Sequence, residues 1–387
     1  MLIVVLAAGG PLVACSGDDS PPPADAGSAP RDAGSNDAGE AMDAAGTDAG
    51  TGLDAGASDV DAGTGVDAGS AATDAGPMSG CAGGCATGFT CTSAGYCATA
   101  TGVPAFGHVY VIVMENRSRT SVAGAAAAPY LNGLMTSYAT ATAYYSVQHP
   151  SLPNYLAMVS GDHWGVGCDC HPAGMSACTA LTCNIVLSGC SCNQAHTHLG
   201  DQLDTAGIAW REYAEGMGTP CNAVDNGGRH YAAKHVPFLY FDNVFSDMTR
   251  CTARVRDYRD FAADLTAGTY RFSYIAPDLC NDMHDACGGD AVGNGDMWSM
   301  TNVPPILATP GFAAGGTDVL FIVWDEEDFS IGHSPLPFIV VSPLVRAGAS
   351  TAAMINHYSL LATWQDGLGV PRLGMSTAAT PITDIWR

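Results

Sequence analysis

Basic residues are scarce: 14 Lys and Arg stand against 38 Asp and Glu, for a formal charge of -24. A chain this acidic repels a phosphate backbone and an anionic bilayer alike, which argues against nucleic-acid binding without a bridging metal and against membrane attachment through basic patches. The imbalance is concentrated. Residues 16–77 hold 13 acids and one base, Arg31, a net -12, while the remaining 25 acids and 13 bases supply the other -12. The same stretch lacks almost any apolar side chain larger than Ala and repeats Asp-Ala-Gly, as in Asp25-Ala26-Gly27, Asp48-Ala49-Gly50 and Asp67-Ala68-Gly69. With nothing to bury, it cannot offset its ordering entropy, and like charges keep it extended, so a disordered tether is expected. A calcium-binding nonapeptide array would need a large apolar residue at fixed spacing, and here the spacing drifts.

The opening apolar run, Met1 to Cys15, is shorter than the ~20 residues a spanning helix needs and reads as an export signal. Leu12-Val13-Ala14-Cys15 resembles the lipobox of bacterial lipoproteins, which implies a lipid anchor on Cys15 and a place in the cell envelope. An ordinary signal cut near Ala14, with secretion, is the alternative. The run lacks the Lys or Arg that normally precedes it, which fits a true start further upstream. With Cys15 set aside, 14 Cys remain, in groups of four (Cys81, Cys85, Cys91, Cys97), six (Cys168, Cys170, Cys178, Cys183, Cys190, Cys192) and four (Cys221, Cys251, Cys280, Cys287). An even count in an exported chain is read as disulfides. The first four are expected to staple a small knob over 78–100, with a tetrahedral zinc site as the rival. The six are expected to brace a polar insertion over 167–193. The pairing stays open.

From His108 onward the texture changes. Val109–Met114, Val319–Trp324 and Phe338–Val341 are short β-branched apolar runs of the kind found in strands covered on both faces. Helical patterns lie between them at Ser151–Val159, Leu199–Thr205 and Asn356–Leu368, the last behind an Asn cap. This alternation predicts an α/β three-layer sandwich with a mostly parallel central sheet over residues 101–387.

In such sheets ligands sit beyond the carboxyl ends of the strands. Glu115-Asn116 follow the first run, Asp325-Glu326-Glu327-Asp328 follow the second, and Asp278 and Asn281-Asp282-Met283-His284-Asp285 follow a run over 272–276. Carboxylates and an amide gathered there suit a divalent cation and would repel one another without it. His149-Pro150-Ser151-Leu152-Pro153-Asn154-Tyr155 opens a helix. Ser151 is either its N-cap or a nucleophile placed where a helix N-terminus and a nearby metal favour a phosphoryl dianion.

Val113-Met114-Glu115-Asn116, the segment from His149 to Tyr155, Trp210-Arg211-Glu212-Tyr213, Lys234-His235-Val236-Pro237-Phe238, Asn281 to Asp285 and Trp324-Asp325-Glu326 occur in this order. Together they resemble the bacterial phosphoesterase family that contains acid phosphatases and phospholipases C, a branch of the alkaline-phosphatase superfamily. The resemblance implies an alkaline-phosphatase-like sandwich and a two-step displacement through a phosphoserine. It implies Glu115, Asn116, Asp325 and Glu326 as ligands of a divalent metal (Zn, Mg, Mn, Ca or Fe), Ser151 as nucleophile and His235 and His284 as catalytic groups facing the phosphate. Asn154, Lys234 and Asp282 would bind substrate, and His333 ranks below these as a ligand. Two positions depart from the family pattern: Val236 stands where Asn is common, and Glu326 where Asp is.

The leading expectation is therefore a surface-anchored hydrolase of phosphomonoesters. A phospholipase C-type phosphodiesterase is the near alternative, weakened by the polar, Gly- and Cys-rich 167–193 insertion. A non-catalytic surface-binding lipoprotein on the same scaffold is the alternative of another class, and the presence of the full residue set speaks against it.

Overall fold

The computed structural model describes residues 80–172, 176–177, 190–328 and 333–387. The export signal with Cys15, the 16–77 tether, Cys178, Cys183 and much of the 167–193 insertion lie outside the described residues.

One sheet organises the chain. Its strands are β1 (Val109–Met114), β2 (Ala139–Ala141), β3 (Trp210–Ala214), β4 (Val255–Asp257), β5 (Phe272–Ala276), β6 (Val319–Trp324), β7 (Phe338–Val341) and β8 (Ser350–Thr351). They lie in the order β8-β2-β7-β6-β1-β5-β3-β4. All pairings are parallel except the two that β7 makes. The three apolar runs read from the sequence are β1, β6 and β7, and every residue in them is buried.

Among the helices that frame the sheet and the site are α1 (Pro129–Ser137), α2 (Ser151–Ser160), α3 (Leu199–Thr205), α4 (Ala291–Leu307) and α5 (His357–Leu368). Register sets Phe321 beside Val111 and Phe272 beside Val109, so these four side chains share one face of the sheet. Trp364 of α5 meets Phe272 and Phe321 there, edge to face, at 5.6 and 6.0 Å. Tyr110 and Met114 point to the other face. Tyr110 packs against Phe261 and Phe312, and α4 approaches Met114 closely because residue 295 is Gly. A Cβ at Gly295 would fall 2.9 Å from Met114 Cε and 2.5 Å from Met283 Cγ. Helix α2 packs on α5 and α3, and α1 on α4. The result is a three-layer α/β sandwich. The Asn cap of α5 is present: Asn356 Oδ1 accepts from the amides of Tyr358 and Ser359 at 3.1 and 3.3 Å.

The Cys-rich knob is closed by Cys81–Cys91 and Cys85–Cys97, so its thiols are spent on bridges and the zinc alternative falls. It is tied to the body where the Tyr96 hydroxyl donates to the Arg387 carbonyl and Thr101 Oγ1 donates to Asp366 Oδ2 at 2.7 Å. Cys170–Cys192, Cys221–Cys251 and Cys280–Cys287 are bonded within the body. Among the described residues no helix is long and apolar enough to cross a membrane.

The packing makes two stability tests possible. Trp364→Ala empties a fully buried site and should lower unfolding free energy by about 3–5 kcal/mol, read from urea titrations. His198 lies buried against Trp210, Phe238 and Phe241, and burial pulls its pKa down to about 4 against the opposing charge of Asp201. Between an unfolded value of about 6.5 and that folded value, only the unfolded chain takes up the proton. The contribution of His198 is thus fully present above pH ~6.5 and falls as pH drops toward 4, by about 3 kcal/mol in all. His198→Asn should flatten the acid limb of the stability profile between pH 7 and 4, and an unchanged slope would contradict this.

Candidate active site

Strands β6, β1 and β5 are adjacent and parallel, so their carboxyl ends open at one place. Backbone bonds lock the three exits together. The Glu115 amide donates to the Asp282 carbonyl at 2.8 Å and the Asp325 amide to the Met114 carbonyl at 3.0 Å. The Asn116 amide donates to Asp325 Oδ1 at 3.2 Å. Asn116 and Met283 adopt left-handed backbone, with φ of 49° and 83°. For a residue with a side chain such as Met283 this costs about 1–3 kcal/mol, and such strain concentrates at functional sites. The turn brings the His284 amide onto Asp282 Oδ1 at 2.7 Å.

Ser151 is the first helical residue of α2. Pro150 occupies the cap position. The Ser151 hydroxyl makes no cap; it donates to Glu115 Oε2 at 3.1 Å and lies 3.4 Å from Glu326 Oε1. That corrects the N-cap reading of Ser151. The expectation of an anion cradle at this helix end is narrowed as well. The Leu152 amide already donates to Asp169 Oδ1 at 2.9 Å, and Pro153 has no N–H to offer.

Glu115, Asp325, Asp282 and Glu326 are all buried. Burial, with the charge of Asp325, holds Glu115 well above the usual carboxylate range. Burial and the charge of Glu326 push Asp325 up to about 8, and burial lifts Glu326 to about 7 against the pull of His149. Burial and Glu115 raise Asp282. Charges so placed demand either protons or a cation. Asn116 Oδ1 and Asp325 Oδ2 are buried and accept no hydrogen bond among the described residues, which leaves their lone pairs unspent. This donor set, carboxylates plus one amide oxygen, fits a divalent cation that prefers oxygen ligands.

The other expected residues are placed around this cluster. His235 is buried between two acids, with Nε2 3.1 Å from Glu115 Oε1 and Nδ1 3.3 Å from Asp282 Oδ2. Its ring stacks on Tyr155 at 5.0 Å, and burial together with the Lys234 charge holds its pKa well down. His284 lies at the rim, its ring 6.5 Å from that of His235 and its Nδ1 2.8 Å from Asp285. Asp282 backs His235 and is buried. Lys234 pairs with Asp169 at 2.8 Å. Asn154 is buried; it accepts from the amides of Val147 and Gln148 and donates to the Gln148 carbonyl, and its Nδ2 also reaches Glu326 Oε2 at 3.4 Å, at the edge of the acid cluster. His333 is largely exposed and reaches Glu327, not Ser151.

Four site residues are given no individual role in the sequence reading. Tyr155 donates to Glu115 Oε1 at 2.7 Å. His149 lies 2.7 Å from Glu326 and 3.3 Å from Glu327; burial opposes its charge, but the two carboxylates raise its pKa to about 10. Glu327, buried, is held down to about 2 by His149 and Ser146 in spite of burial. Asp169 comes from the Cys-rich insertion. The motif from His149 to Tyr155 contains the first two; Glu327 was visible only as part of an acidic run, and Asp169 had no local signal.

Residues 124–371 match the Phosphoesterase family model, and the chain belongs to that family. It is a phosphoric ester hydrolase. It is 30% identical over 287 residues to a phosphatidylinositol-3-phosphatase of Mycobacterium tuberculosis, covering 74% of this chain and 85% of that one. It is 28% identical over 293 residues to a probable acid phosphatase of Kluyveromyces lactis, and 27% over 295 residues to an acid phosphatase of Aspergillus fumigatus. Each of those two matches covers 73% of this chain, and they span 62% and 59% of the fungal proteins. A solved protein in the alkaline phosphatase superfamily from Vibrio parahaemolyticus aligns with a TM-score of 0.46 at 12% identity, over 72% of this chain and 71% of that one.

If the acid cluster takes up a cation, added divalent metal should raise Tm, and the rise should shrink as pH falls from 8 to 5, since protons compete for the same carboxylates. A pH-independent shift, or one unchanged in Asp325→Asn, would contradict the fit.

Proposed function

We propose that the chain is a metal-assisted phosphomonoesterase that uses Ser151 as its nucleophile. The observation that carries this reading is the Ser151 hydroxyl, turned off its own helix cap and onto the buried carboxylates Glu115 and Glu326. A divalent cation held by Glu115, Asn116, Asp325 and Glu326 would supply Lewis-acid charge at the phosphoryl oxygens and lower the hydroxyl pKa.

With a cation offsetting the charge of the cluster, Glu115 would be ionised; Ser151 Oγ then attacks phosphorus in line as its proton leaves along the existing hydrogen bond to Glu115, and the bond to the leaving oxygen breaks. His284, at the rim, protonates the leaving alkoxide. Lys234 balances charge on the phosphoryl oxygens. His235, clamped between Glu115 and Asp282 and stacked on Tyr155, orients Glu115. Attack of water on the phosphoserine then frees phosphate: the water's proton passes to His284, restoring it, and the proton held on Glu115 returns to Ser151 as the phosphoserine bond breaks. The relatives' names, a phosphatidylinositol-3-phosphatase and acid phosphatases, favour monoesters over diesters. The five described disulfides favour an oxidising compartment and with it the exported, envelope-anchored placement through Cys15.

The test compares a chromogenic phosphomonoester with a matched phosphodiester, for the exported domain and for Ser151→Ala, with and without chelator and metal re-addition. Monoester turnover should fall at least about 1,000-fold in the variant and in the chelated enzyme. A diester preference would move the assignment to phospholipase C-type chemistry. No turnover of either ester by folded protein, across pH and metals, would sink the reading.

A further inference from the structure

Lys234 is the only lysine in the chain, and its ammonium is fixed by a residue from outside the recognisable motifs. Asp169 Oδ2 accepts from Lys234 Nζ at 2.8 Å while Asp169 Oδ1 accepts from the Leu152 amide at 2.9 Å. One carboxylate thus ties two separate pieces of the site. The first is the opening turn of α2, which carries Ser151. The second is the short turn Ala233–His235, which carries Lys234 and His235. Both side chains of the pair are largely shielded, 21% exposed for Lys234 and 19% for Asp169.

The delivery of Asp169 is itself built. It sits between Cys168 and Cys170, both disulfide-bonded, with Cys170 bridged to Cys192. The Tyr240 hydroxyl donates to the Cys170 carbonyl at 2.5 Å, and the Gln194 amide donates to the Tyr240 carbonyl at 2.7 Å. The base of the insertion is thereby clamped to the segment that follows Lys234. An ammonium has three donors. With one spent on Asp169, the Lys234 head group is fixed at that end, and among the described residues two donors remain for oxygen acceptors.

We propose that Asp169 is a positioning residue of this site: delivered by the disulfide-braced insertion, its carboxylate orients Lys234 toward the phosphoryl group and holds that lysine in register with the Ser151 helix. The inference rests on the reading of Lys234 as a phosphate contact. It assigns the insertion a working part in recognition of the phosphoryl group, beyond bracing a loop. A plain helix cap is the rival account, since a carboxylate on the Leu152 amide would stabilise α2 with no effect on Lys234.

The experiment measures binding of inorganic phosphate by calorimetry, with divalent metal present, to the exported domain and to Asp169→Asn, Asp169→Ser, Lys234→Gln and the Asp169→Asn/Lys234→Gln pair. Lys234→Gln should weaken phosphate about tenfold, Asp169→Asn several-fold, and the pair no more than Lys234→Gln alone, because positioning has no meaning without the lysine. Asp169→Ser keeps a short acceptor near the Leu152 amide and removes the partner of Lys234, so it should bind phosphate as weakly as Asp169→Asn; it also serves if Asp169→Asn does not fold. Wild-type affinity in either Asp169 variant, or losses that multiply in the pair, would overturn the proposal and leave Asp169 a cap. Full affinity in Lys234→Gln would overturn the phosphate role of Lys234 and this proposal with it. No phosphate binding by the unsubstituted domain would overturn the phosphomonoesterase reading first.

Discussion

The arrangement that the rest of this molecule depends on is a group of carboxylates held where water cannot screen them. Glu115, Asp282, Asp325 and Glu326 are buried together, and each is pushed toward its neutral form. A folded chain keeps such a cluster only if the scaffold over-determines it. Here the scaffold is the hydrogen-bonded ladder of β6, β1 and β5, whose parallel direction delivers all three exits to one point and whose exits are then cross-tied by backbone amides.

The aromatic and aliphatic core behind that point makes the ladder rigid. Trp364, Phe272 and Phe321 interlock on one face, and on the other α4 closes on Met114 and Met283 through Gly295. Charge is arranged around the acids in a graded way. His149, made strongly basic by Glu326 and Glu327, offsets one flank, and the Lys234–Asp169 pair supplies fixed charge on another. Between them the Ser151 hydroxyl is presented by the first residue of α2 rather than folded back as its cap.

Much of this was legible in the sequence because each local pattern agreed with the global fold. β1, β6 and β7 were plain as short β-branched runs, Leu199–Thr205 matched its helix to the residue, and the acids fell just past strand ends, where open α/β sheets place ligands. The direction of β7 was not legible, since an apolar run reads the same both ways. Nor were the two- and three-residue edge strands, which carry too little periodicity to register. Ser151 looked like a cap because Ser before a helical pattern usually is one; tertiary contacts with Glu115 and Glu326 decided otherwise. Asp169 was hidden for a different reason. Its partners, Leu152 and Lys234, lie 17 and 65 residues away, and nothing in the composition of a Cys-rich loop marks one acid as the one that reaches the site.

The central claim is that the hydroxyl lodged among these carboxylates attacks phosphorus itself. Rapid mixing of enzyme with a phosphomonoester, an acid quench and mass spectrometry of the peptide that contains Ser151 tests it most directly. The account predicts a phosphoryl group on Ser151 that builds up within the first turnover and decays as substrate is exhausted. Steady turnover with an unmodified Ser151 peptide at every quench time, and with activity persisting in Ser151→Ala, would contradict it and make water the direct nucleophile.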